Sequence, residues 1–468
     1  MHLGLACLAF ILSLACSVLQ ASVKLPSIIG DNMVLQRDQP LPIWGWAEQG
    51  EEVTVQIAGQ THTAKADDEG RWKVVLDKLQ TGEPLEMIVK TSSGEVLKVR
   101  NILVGEVWIC SGQSNMEMGI GACDKAAEEI AAADYPRIRL FQVPNVKATE
   151  PATDVKAAWA VCSPKTVGAG GWAGFSAAGY YFGRQLHKDL GVPVGLIDTT
   201  WGGTPAEFWT SNKSLEADPA LKPLAQGESS CLYNGMLAPL IPFGIRGAIW
   251  YQGESNAGRA YQYRTLFPAM IRDWRTNWGQ GDFPFGFVQI APYRYGGQNN
   301  TGIWAELCEA QTMTLKNAPN TGMAVTLDIG NIDDIHPTNK QEVGRRLALW
   351  AMAKAYNKET AYSGPIYKSM AVDGNKVRLE FDYVGGGLIS RDGKPLTDFT
   401  VAGADQQFKP ATAEIDGNSV VVTCPEVAEP AAVRFAWHDI ATPNLSNKDG
   451  LPAGPFRTDS WKGVTEGK

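Results

Sequence analysis

The sequence predicts an α/β protein, a parallel sheet covered by helices, with a β region on either side of it. Two observations carry this. From about residue 104 to residue 356, apolar strand-like runs alternate several times with helix-like segments. Outside that stretch, short runs rich in Val, Ile and Trp follow one another between polar turns, with no helical texture. At 468 residues the chain exceeds one ordinary hydrophobic core and fits two or three domains.

The first β region reads as the strands LPIWGWA, EVTVQIAG, RWKVVL and LEMIVK, with Asp67-Asp68-Glu69-Gly70 as a hairpin turn before Trp72. The expected form is a sandwich. VGEVWICSG then makes an apolar strand ending in a Gly/Ser turn, and Cys123 to Ala133 has helical composition. Ser176 is placed to cap a helix through Leu190. Further strands are expected over 192–198, 245–253, 283–290 and 322–330, and helices over 261–274, 304–317 and 341–356. A second β region follows, expected to pack against the first.

The boundaries that result are 1–22, 23–100, 101–363 and 364–468. The first segment has an apolar run from Leu3 to Leu19 with small residues after it at Ala21 and Ser22, the pattern of an export signal. A secreted or periplasmic protein is expected, with a lipid-anchored form the lesser alternative. No later run has the length of a membrane span. Six cysteines follow that segment without CxxC spacing, which speaks against structural zinc; export permits disulfides, but no pairing can be read from the sequence. The formal charge is −8 and no basic block interrupts the chain, so no nucleic-acid partner is indicated.

In a parallel α/β sheet, sites lie beyond the carboxyl ends of strands. Three segments stand there: Gly112-Gln113-Ser114-Asn115, Trp201-Gly202-Gly203-Thr204 and Gln252-Gly253-Glu254-Ser255-Asn256. Ser114 follows a strand and opens a helix, so its hydroxyl is the candidate nucleophile and its N–H a donor to an oxyanion. The surroundings are not the GxSxG turn of α/β-hydrolases. Among five histidines, His336 lies in the loop after the strand 322–330 and is the natural base. Either Asp333 or Asp334 could orient its ring, with Asp333, three residues ahead, preferred; a Ser–His dyad is the alternative. Gly203 offers a second backbone donor, and Gln252 or Asn256 a side-chain amide. Glu254 could order Asn115 or an arginine, or act in acid–base chemistry.

Trp201, Phe208, Trp209, Tyr233, Trp250, Tyr251, Tyr293 and Tyr295 crowd these loops and suit the apolar faces of sugars. Arg259 and Arg294 could meet a sugar carboxylate.

Together, Gly112-Gln113-Ser114-Asn115-Met116, Trp201-Gly202-Gly203-Thr204, Trp250 to Asn256 and Asp334-Ile335-His336-Pro337 resemble the sialate O-acetylesterase family, a branch of the SGNH or GDSL-like hydrolases. The resemblance covers most of the chain beyond residue 22. It implies a flavodoxin-like three-layer α/β/α domain flanked by β-sandwich-like regions. It implies a carbohydrate O-acetylesterase acting through an acyl-enzyme on Ser114, with His336 as base and no cofactor or metal. An O-acetylated sugar or glycan is the expected partner. An acetylxylan or other polysaccharide esterase is the near alternative, and a non-catalytic carbohydrate-binding protein the distant one. The SGNH pattern selects Asp333, whereas the DIHP string highlights Asp334.

Overall fold

The computed structural model describes residues 23–468, so the apolar segment read as an export signal lies outside the described residues. The chain starts with β1 (Val34–Gln36), β2 (Leu41–Trp46), β3 (Glu52–Ile57), β4 (Gln60–Lys65), β5 (Arg71–Leu76) and β6 (Leu85–Thr91). β2 pairs with β5, and β3 lies between β4 and β6, all antiparallel. Val53, Val55 and Ile57 alternate inward with polar neighbours outward, the two-residue period of a half-buried strand.

β7 (Val96–Gly112) links this region to the central sheet. Its first half pairs antiparallel with β6. Its second half is buried on both faces and pairs in parallel with β1, β10 (Val194–Thr200) and β11 (Gly247–Tyr251). The remaining sheet strands are β8 (Tyr135–Gln142), β9 (Trp159–Cys162), β12 (Phe285–Val288) and β13 (Thr321–Ala324). The order is β13-β12-β11-β7-β10-β8-β9, parallel except for the edge strand β9. β8 and β9 are absent from the sequence reading. Pro136, Arg137 and Arg139 break the apolar run of β8, which owes its place to pairing with β10.

Among the described residues the α-helices are, in chain order, α1 (Ser114–Glu117), α2 (Ala126–Ala131), α3 (Pro164–Val167), α4 (Ala177–Leu190), α5 (Asn212–Ala217), α6 (Ala260–Trp278), α7 (Ile303–Asn317) and α8 (Lys340–Lys354). The four long ones fall where the periodicity predicts. Ser176 caps α4, its Oγ accepting from the Gly179 N–H at 3.0 Å. Successive residues of β7 enter different cores. Val107 and Ile109 join the cluster holding Phe267, Trp274 and Leu307 of α6 and α7. Trp108 and Cys110 join the one holding Phe182 and Leu186 of α4 with Leu347 and Trp350 of α8.

The segment after residue 364 is again all strands. One antiparallel sheet holds Ile366–Asp373, Lys376–Asp382, Ser419–Thr423 and Thr412–Asp416. A second holds Lys409–Pro410, Phe399–Ala402, Ala432–Phe435 and Phe456–Arg457. Phe381 meets Phe456 edge-on between them at 5.7 Å. The expected packing against the N-terminal strands is marked by no strand pairing among the described residues. The polar contacts run to the central region instead: Arg457 to Glu309, the Thr465 N–H to Glu306, and Asp439 to Thr301. All six described cysteines are buried free thiols. No helix among the described residues is long and apolar enough to cross a membrane.

Candidate active site

β7, β10 and β11 end level: Gly112 stands opposite Thr200 on one side and Tyr251 on the other. The chain therefore turns between two neighbours. Gly112 has φ +147°, and a Cβ there would lie 2.2 Å from the Tyr251 carbonyl oxygen, so the turn requires glycine. The Gln113 N–H then donates to Tyr251 O at 3.0 Å, and Ser114 begins α1.

Ser114 Oγ lies 2.9 Å from His336 Nε2. These residues are 222 positions apart. The His336 loop is fastened beside the serine by Asn115, whose Nδ2 donates to Ile335 O at 2.9 Å. Burial lowers the His336 pKa from its ordinary 6.5. Asp334 opposes that shift and the Lys340 charge adds to it. A neutral imidazole at neutral pH is what a general base requires.

The two aspartates separate. Asp334 Oδ1 accepts from the His336 backbone N–H at 2.9 Å and lies 3.7 Å from Nδ1, longer than a hydrogen bond. Asp333, the one preferred from sequence, is instead bound to Arg294 at 3.1 Å. A backbone bridge between Asn331 and Asp334 closes this turn, with Asp334 on the Nδ1 side of the ring and Asp333 on Arg294.

Gly203 and Ser114 line one pocket of about 470 Å³ with Gln113, Glu117, Trp172, Gly202, Glu254, Ser255, Ile335 and His336. Neither the Ser114 nor the Gly203 backbone N–H has a partner among the described residues. Gly202 comes so near the serine that a Cβ on it would meet Glu117 Oε2 at 2.8 Å and Ser114 Cβ at 3.2 Å. Its N–H donates to Glu117 at 2.6 Å, which fixes the loop.

Gln252 and Asn256, expected as amide donors, are held elsewhere. Gln252 Nε2 donates to Thr204 O and to Asn256 Oδ1, and its Oε1 accepts from the Tyr263 hydroxyl. Asn256 Nδ2 donates to Glu207, and its Oδ1 also accepts from the Ala206 N–H. Both side chains are buried, tying the turn after β11 to the loop after β10. The open amide is Gln113. Its Oε1 accepts from the Ser255 N–H at 3.2 Å and the Gly253 N–H at 3.5 Å, leaving Nε2 without a protein partner beside Ser114. Its position next to the serine was the available signal.

Glu254 takes the first of its expected roles: Oε1 accepts from Asn115 Nδ2 at 2.6 Å. Lys340, which the sequence did not single out, is buried and donates to Asn115 Oδ1 at 2.6 Å. Burial pulls its pKa down to about 8 and pushes that of Glu254 up.

The aromatic forecast also changes. Trp209, Tyr233, Trp250 and Tyr251 are buried core, while Trp201, Phe208, Tyr293 and Tyr295 pack against it partly covered. The aromatic in the pocket is Trp172, 42% exposed, its ring edge-on to His336 at 4.9 Å. It stands in the glycine-rich run Gly168 to Gly174, the one feature that could have drawn attention to it. Arg259 and Arg294 are engaged by Glu207 and Asp333.

A hydroxyl on an imidazole, with free N–H groups across a pocket, suits acyl transfer to water, and comparison with known proteins places the chain among the esterases. Residues 104–353 match the family described as carbohydrate esterase, sialic acid-specific acetylesterase. The chain is 33% identical over 425 residues to a sialate O-acetylesterase of Mus musculus, covering 77% of this chain and 79% of that one. It is 33% identical over 400 residues to a sialate O-acetylesterase of Homo sapiens, covering 77% and 76%. It superimposes on the crystal structure of a carbohydrate acetylesterase from Xanthomonas citri with a TM-score of 0.88. That match has 42% identity and covers 94% of this chain and all of that one. The chain belongs to the sialic acid-specific acetylesterase family of carbohydrate esterases.

Proposed function

We propose that this esterase removes acetyl groups from O-acetylated sugars through an acyl-enzyme on Ser114. The observation that carries the reading is the 2.9 Å contact of Ser114 Oγ with His336 Nε2, beside two unpartnered backbone N–H groups. His336 takes the serine proton as Oγ attacks the acetyl carbonyl. The N–H groups of Ser114 and Gly203 and the Gln113 amide stabilise the oxyanion. Collapse of the tetrahedral intermediate expels the sugar oxygen, which receives the proton from His336. Water then repeats the sequence on the acetyl-enzyme and releases acetate. Asp334 is the acid of this reading, with its carboxylate on the Nδ1 side of the ring.

The proposed architecture is a flavodoxin-like SGNH hydrolase unit over 101–363, between β-sandwich-like units over 23–100 and 364–468. Its support is the alternation of β7 residues between two helix-backed cores. Export to the periplasm or medium is proposed from the apolar run at 3–19.

Acetate release from a panel of O-acetylated glycans, with labelling by a fluorophosphonate probe, tests the function. Ser114→Ala is expected to abolish labelling and to lower turnover at least about 10³-fold with the fold intact. Asp334→Asn is expected to lower kcat more than Asp333→Asn. Labelling that survives in Ser114→Ala defeats the proposal, and equal mild effects at both aspartates leave a Ser–His dyad.

A further inference from the structure

The pocket holds one carboxylate that no cation answers among the described residues, Glu117, whereas Glu254 shares the Asn115 amide with the buried Lys340. Glu117 and Glu254 line it together with His336. Glu117 is fixed there: Oε2 accepts from the Gly202 N–H and Oε1 from Asn145 Nδ2 at 3.1 Å. The basic side chains of the surrounding loops are already bound. Lys147 pairs with Glu228 at 2.7 Å and lies over the Trp201 ring. Arg259 pairs with Glu207 at 2.5 Å and Arg294 with Asp333 at 3.1 Å. Lys340 is buried on Asn115. A substrate carboxylate entering here would face Glu117 and would have to compete with an internal carboxylate for any cation. What the mouth does offer is an exposed indole, Trp172, standing against the catalytic imidazole.

We infer that this site takes a neutral O-acetylated sugar laid against Trp172, in preference to one carrying a carboxylate. The inference rests on the esterase reading above and adds the substrate class to it. A pyranose ring presents an apolar face of C–H groups, which an indole covers well, and no ionic partner is then needed. A carboxylate facing Glu117 across a water-accessible mouth loses on the order of three- to tenfold in affinity.

The test compares kcat/KM for acetate release from an O-acetylated sialic acid, from its methyl ester, and from a neutral O-acetylated pyranoside, with p-nitrophenyl acetate as the sugar-free reference. The methyl ester is expected to exceed the free acid by about three- to tenfold, and high salt should narrow that gap by screening the repulsion. Trp172→Ala should lower the pyranoside to p-nitrophenyl acetate ratio by about tenfold, with Trp172→Phe restoring most of it. A free acid turned over as well as its ester, a free-acid rate that falls with salt, or a ratio unmoved by Trp172→Ala would overturn the inference. Serine-dependent turnover of p-nitrophenyl acetate in that case leaves the esterase reading standing. No turnover of any ester removes both.

Discussion

The Gln113 side chain is anchored through its oxygen and open through its nitrogen. The N–H groups of Gly253 and Ser255 hold Oε1, so Nε2 is presented to the pocket at no cost in reorientation. Gln113→Ala is expected to lower kcat by about 10²-fold with a small change in KM, the loss that follows removal of one oxyanion donor. Steady-state kinetics on p-nitrophenyl acetate would show it. The ring opposite has its own control. Burial and the Lys340 charge hold the His336 pKa below 6.5, so the active neutral imidazole persists to lower pH than in a free histidine. The acid limb of kcat/KM is expected below pH 6.5. Lys340→Met removes one of the two lowering influences and should move that limb to higher pH. A purely structural lysine would change thermal stability and leave the limb in place.

At the level of elements, the sheet ends and helix starts share buried groups whose charge depends on pH. Asp198 in β10 accepts from the Ser176 N–H at 3.0 Å, where α4 begins, and from the Thr200 hydroxyl at 2.8 Å. Burial pushes its pKa from 3.8 to about 7. The folded state thus keeps a proton that the unfolded chain gives up above pH 3.8. The stabilisation is complete below that value and is lost as pH rises through about 7. Asp198→Asn cannot ionise and still offers an acceptor to Ser176 and a donor to Thr200. Urea denaturation should find the variant gaining on the parent by about 2–3 kcal/mol between pH 5 and pH 8, at 1.36 kcal/mol per pH unit up to the folded pKa. An unchanged difference would place the carboxyl in a wetter site than the one described.

Across the whole molecule, β7 is the common member. One end belongs to the N-terminal sheet and the other to the central sheet, so neither can open without disturbing this strand. Glu106, buried in β7, accepts from Gln36 at 3.1 Å and Arg246 at 2.8 Å and also pairs with Arg37. It joins the N-terminal segment to the approach to β11. Glu106→Ala leaves the partly covered Arg246 guanidinium without a carboxylate and Arg37 with only Asp38 at 3.5 Å, and is expected to cost about 3 kcal/mol. Calorimetry should show the N-terminal and central regions melting in one transition at a lower temperature. A separate early transition for the N-terminal strands would contradict the coupling.

Much of this was legible along the chain, because burial on both faces of a parallel strand leaves an unbroken apolar run and a helix leaves its period. The alternation of these patterns announced β7, β10, β11 and the four long helices. Strand ends followed by small polar turns located Ser114, Gly203 and the turn holding Glu254, and the scarcity of histidine singled out His336. What the chain could not announce was direction. Asp333 and Asp334 are neighbours with the same chemistry, and Arg294, 39 residues away, decides which one is taken from the ring. Gln252 and Asn256 have the right functional group, but Tyr263, Thr204 and Glu207 claim it first. Trp172 looks like any loop tryptophan until folding sets it against His336. A residue type states what a side chain is able to donate or accept. Only the neighbours supplied by distant segments determine which of those capacities is left free to meet a substrate.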